Sequence, residues 1–189
     1  MKDFVLLALL TALYIIVYFV AMMIISLMGP FGHAISPGVC GLLSGAILIF
    51  ISRKIGKMWQ FTLMELIIMG VFALMGAGYL PWFITSMIGA VLADVIASTS
   101  SKPSVLKVAI ASGLIHVGNA LGGIIPACFF AEQYMNEWIA RGQKPDQMLE
   151  MVKATQGVMG ILGTVITFIL SVIGVYIGYS ILKGHLKEN

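Results

Sequence analysis

The chain has 189 residues, 60% hydrophobic and 10% charged, with a net charge of +3 and a mean hydropathy of +1.03. Water-soluble domains carry about a quarter charged residues, so this composition excludes one and calls for lipid around most of the surface. The basic residues follow the membrane pattern described below, and nothing points to nucleic acid.

A spanning helix needs about 20 mostly apolar residues. Segment one covers residues 4–28. It is too long for the apolar core of a signal peptide, and no small-residue cleavage site follows, so a retained helix is expected. Its stretch LALLTALY sets Ala8 and Ala12 one turn apart beside Thr11, among four leucines. On spacing alone, that shallow notch is a packing surface. Gly29-Pro30-Phe31-Gly32 breaks the run, and segment two follows over 34–52, ended by Arg53-Lys54. Segment three covers 60–77. The stretch Gly76 to Pro81 signals a turn, and segment four extends to about 98. A polar loop to Pro103 leads to segment five, 104–130.

Residues 131–154 carry seven charges interleaved with Tyr134, Trp138, Met148 and Met151. One or two short surface helices are expected there. Two readings stand side by side, an interfacial anchor and a lid over an outward-facing cavity. Segment six covers 155–182, and a short tail, 183–189, closes the chain.

Six spans put both termini on one side. Lys2, Arg53, Lys54, Lys57, Lys102, Lys107, Lys183 and Lys187 fall on that side, 8 of the 11 Lys and Arg. Basic loops resist translocation, so both termini are expected to be cytoplasmic. The fold class is an all-α, six-helix membrane domain over residues 1–189.

Ionisable groups inside a span are costly and are functional candidates. Glu65 and Asp94 lie near the basic side and are expected to snorkel or to pair with Arg53, Lys57, Lys102 or Lys107. Asp94 has docking of a partner as a second reading. His116 and Asn119 share one face of segment five beside several glycines, and a ligand role is expected. His33, Tyr79, Trp82 and Trp138, with Tyr134, supply polar and aromatic groups at the opposite side. Such a set suits a flat heteroaromatic ligand, although Tyr79, Trp82 and Trp138 also fit an interfacial aromatic belt. Imidazole ligates the metal of tetrapyrroles, which adds that class to small vitamins and their precursors. No His/Cys/Asp spacing resembles a dedicated metal site, no cofactor is implied, and Cys40 and Cys128 read as unpaired core residues.

The Ala8/Ala12 pair, the six-span topology and the chain length resemble the substrate-binding S component of an energy-coupling factor (ECF) transporter. More narrowly, Lys2-Asp3 leading into Leu10 to Tyr14, Gly70 through Pro81-Trp82, and Gly89-Ala90-Val91-Leu92-Ala93-Asp94 resemble S components of the Trep_Strep type. The resemblance covers nearly the whole chain. It implies capture of a micronutrient at the outer face of the bacterial cell membrane. It also implies docking, through Ala8 and Ala12, on a transmembrane coupling subunit with two cytoplasmic ATPases. The chain has no Gly-x-x-x-x-Gly-Lys-[Ser/Thr] stretch, so it is not the ATPase.

Two other classes compete. A membrane enzyme acting on lipid would need a nucleophile with its base, paired carboxylates or a metal-binding histidine pair, and no such motif is present. A channel would need a polar stripe along several spans, and these spans are too apolar.

Overall fold

A computed structural model describes residues 1–100 and 102–184. Among them the helices are α1 (Lys2–Ser26), α2 (Gly32–Lys54), α3 (Gln60–Phe72), α4 (Leu80–Ala97), α5 (Val105–Phe129), α6 (Ala131–Ala140), α7 (Pro145–Thr155) and α8 (Gly157–Leu182). A single π-helical turn, Ala73–Ala77, extends α3. Six units are long and apolar enough to cross a membrane: α1, α2, α3 with its π turn, α4, α5 and α8. Six crossings return the chain to the side on which it starts. That side is called the base here, and the other the mouth. At the base, Lys57 pairs with Asp3 and ties the α2–α3 loop to the start of α1.

The breaks follow local chemistry. Gly29 takes φ +71° ahead of Pro30, between α1 and α2. Within the π turn, Gly76 takes φ +85°, a conformation that glycine adopts without a Cβ penalty. Pro81 sits in the first turn of α4, where its missing N–H costs nothing. The hydroxyl of Ser104 caps α5 by accepting from the Lys107 amide.

The helices α2 and α5 form the centre, and α1 is the most peripheral span. The broadest contacts are α2 with α8 and α4 with α5. Small residues make both possible, because close backbone approach replaces the hydrophobic drive that lipid removes. A Cβ added to Gly45 would overlap the backbone of Gly174, and one on Gly89 would lie 2.5 Å from the carbonyl oxygen of Leu114. The glycines at 41 and 45, 118 and 122, and 174 and 178 all lie on such seams.

The 131–154 segment forms two amphipathic helices, α6 and α7, joined at Gly142 with φ +95°. They pack on each other and on the mouth ends of α5 and α8. Cys40 and Cys128 are both free; Cys40 is buried as expected, but Cys128 is exposed and not a core residue.

Candidate functional site

A cavity of about 340 Å³ opens at the mouth of the bundle. Helix α1 contributes Tyr18, α3 contributes Phe72, α4 contributes Trp82, α5 contributes Asn119, and the α6–α7 pair adds Trp138 and Met151. A second cavity of about 510 Å³ lies beneath α7 and shares Met22, His33, Tyr134, Trp138 and Met151 with the first. The two together form one recess roofed by α6 and α7.

The walls are aromatic. Phe72 meets Tyr18 edge-on with ring centroids 5.0 Å apart, and meets Trp82 in the same way at 5.4 Å. Nearer the mouth, Tyr79, Tyr134 and Trp138 form a three-ring cluster with centroids 5.5 to 6.4 Å apart. These are the offset and edge geometries that aromatic quadrupoles favour. The Arg141 guanidinium lies 5.1 Å from the Trp138 ring centre and 6.0 Å from that of Tyr79, within the range of a cation–π contact. It also pairs with Glu137 one turn back.

Burial pushes the Tyr79 phenol above its usual range, with Glu137 adding to the shift and Arg141 opposing it. Burial, with help from Tyr79, pushes Tyr134 up to about 12. Both phenols are neutral at physiological pH. No Lys, Arg, Asp or Glu side chain is among the described residues that line the main cavity.

Asn119 fixes the inner wall. Its Oδ1 accepts from the Trp82 indole N–H at 3.1 Å and from the Ser86 hydroxyl at 3.2 Å, and its Nδ2 donates to the Ile115 carbonyl. The indole is therefore held by a buried amide whose oxygen is already doubly used.

Five of the six expected ligand residues, His33, Tyr79, Trp82, Asn119 and Trp138, come together around this recess. His116 does not line it. It lies deeper, with Nδ1–H donating to the Ser112 carbonyl at 2.7 Å and Nε2 accepting from the Tyr14 hydroxyl at 2.8 Å. Both ring nitrogens are thus spent inside the bundle, and neither is free for a ligand or a metal.

The two intramembrane carboxyls also differ from expectation. Neither pairs with a cation among the described residues, and neither reaches water, because Asp94 is 0% exposed and Glu65 1%. Asp94 accepts from the Phe61 and Thr62 amides at 3.2 and 2.8 Å. It also accepts from the Thr62 and Ser98 hydroxyls at 2.7 and 2.6 Å. It thereby supplies, from α4, the cap and negative charge that the N-terminus of α3 lacks in its own sequence. All four donors reach Asp94 from within the bundle, and the side chain is fully buried.

Ala8 and Ala12 lie elsewhere. Leu7, Thr11, Tyr14, Ala21 and Ile25 form the inward stripe of α1. Ala8 is half-buried and Ala12 exposed, flanked by exposed Leu9, Leu13 and Ile16. Among the described residues, no helix covers Ala12.

Tyr18 and Phe72 line the cavity without standing out in the sequence, and Met151 joins them from the 131–154 segment. Tyr18 lies one turn beyond Tyr14, and that spacing is the one local signal available for it.

The helices and recess define an integral membrane protein of six spanning helices with a largely uncharged, aromatic pocket at one face. Residues 1–188 match the family model described as "Hypothetical bacterial integral membrane protein (Trep_Strep)". The chain belongs to that family. No curated protein and no solved structure matches it.

Proposed function

We propose that this protein is the substrate-binding S component of an ECF-type importer in the bacterial cell membrane. It captures a small aromatic micronutrient, a vitamin or a vitamin precursor, in the mouth recess, which faces outward. It hands that ligand on by docking on a coupling subunit that carries two ATPases. The chain itself performs no chemistry.

The observation that carries this reading is the division of α1. Its mouth half lines the cavity with Tyr18, Phe19 and Met22. Its base half presents the uncovered notch at Ala12, about 9 Å from Tyr18 for six residues of helix. One helix thus touches the ligand site at one end and offers a close-approach surface to a foreign helix at the other. The pocket has the properties expected of a small-molecule site, namely apolar walls, a few fixed polar groups and a volume within the usual range.

The test is isolation from a native membrane followed by mass spectrometry of retained small molecules and of associated subunits. A bound micronutrient together with an ATPase-bearing complex supports the reading. Turnover of a lipid, with neither found, overturns it.

A further inference from the structure

We propose that the recess takes a two-part ligand, an uncharged aromatic ring in its inner chamber and an ammonium-type cationic end in its outer chamber, and that the Glu150 carboxylate receives that end. This deepens the reading of the recess as the ligand site and rests on it.

The two chambers differ in chemistry. The inner one, of about 340 Å³, is walled by the rings of Tyr18, Phe72 and Trp82, and no Lys, Arg, Asp or Glu lines it among the described residues. The Trp82 indole N–H is spent on Asn119, so that ring offers its face rather than a donor. An ionised group placed there would lose its water without meeting an opposite charge. The outer one, of about 510 Å³, is lined by Glu150, Gln143, Gln147 and Ser26. Both chambers are bordered by Met22, His33, Tyr134, Trp138 and Met151. A molecule that crosses this junction has its flat part among rings and its other end among polar side chains.

Glu150 sets the sign of that other end. It is the one carboxylate that lines either chamber among the described residues, and no lysine or arginine lines either. Helix α7 places it there, since Gln147, Glu150 and Met151 are spaced three and four residues apart and share the face that borders the chamber. Glu150 is exposed and takes part in no ion pair among the described residues. The neighbouring bases do not cancel it inside the recess. Arg141 pairs with Glu137 and lies against Trp138 and Tyr79. Arg141, Lys144 and Lys153 line neither chamber. The lining of the outer chamber is therefore negative, which draws in a cation and repels an anion. The Tyr134 ring at the junction suits the same charge, because an aromatic face attracts a cation.

Three probes with one ring and three different ends decide the matter by calorimetry on the detergent-purified full chain: tryptamine, an ammonium at neutral pH; 3-methylindole, neutral; and indole-3-propionate, an anion. The expected order is tryptamine tightest, 3-methylindole weaker by about fivefold, and indole-3-propionate weakest. Glu150→Gln should lower tryptamine to the level of 3-methylindole and leave 3-methylindole affinity unchanged. Glu150→Lys should reverse the order of the two charged probes. Glu132→Gln removes an exposed acid of α6 that lines neither chamber, and should keep the wild-type order. Equal binding of all three, a preference for indole-3-propionate, a tryptamine preference retained in Glu150→Gln, or one lost equally in Glu132→Gln overturns the proposal. So does failure of all three to bind. In that last case the transport reading still stands if a native metabolite is retained, and falls if none is.

Discussion

The Tyr14 hydroxyl donates to Nε2 of His116 across 2.8 Å in the middle of the bundle. The bond joins α1, which otherwise packs on α2 and α3, to the central helix α5. Because Nδ1–H of the same ring is committed to the Ser112 carbonyl, the tautomer is set and Nε2 can only accept. The histidine is a structural bolt between the peripheral helix and the core.

Tyr14→Phe removes the donor and leaves Nε2 buried and unpaired. The expected loss is about 1–3 kcal/mol, read as a lower melting temperature in detergent, with ligand affinity unchanged. A loss of ligand affinity at unchanged stability would return His116 to the binding site.

Asp94→Ala strips acceptors from two buried amides and two hydroxyls. A cost of more than about 3 kcal/mol is expected, with little monodisperse protein recovered. Asp94→Asn keeps one carbonyl acceptor and should fold with a reduced melting temperature. A fully stable Asp94→Asn that fails to associate with its partner complex would instead support a docking role for this residue.

Two glycines give opposite outcomes. Gly45→Ala drives a methyl into the Gly174 backbone, and overpacking of this kind costs about 1–3 kcal/mol. Gly70→Ala meets nothing within 4 Å on α3 and should be neutral or stabilising by up to about 1 kcal/mol. Thermal melting of the two variants side by side checks the α2–α8 seam.

The spans are legible in the sequence because hydropathy and the chemistry of Gly29-Pro30 and Gly76 to Pro81 act locally. The clustering of His33, Tyr79, Trp82, Asn119 and Trp138 is also legible, since all five fall in the mouth halves of their segments. What is not legible depends on how helices cross. His116 and Asn119 share a helical face, yet one turn of depth separates a ring buried against α1 from an amide on the cavity wall. Asp94 looks like a charge seeking a lysine until the crossing of α3 and α4 sets it against the bare N-terminus of α3. Glu65 is conspicuous in the sequence, but its burial at 1% exposure is set by how the helices pack around it. Ala12 illustrates the same limit from outside, because spacing shows a notch and not which surface fills it.

The most direct test of the account introduces Ala12→Trp into the full chain and measures two quantities in parallel, retention of the bound small molecule and association with the ATPase-bearing complex. The expected result is wild-type ligand retention with association lost, since the indole would fill a notch that no helix among the described residues covers. Loss of ligand retention together with stability, or wild-type association despite the indole, would contradict it.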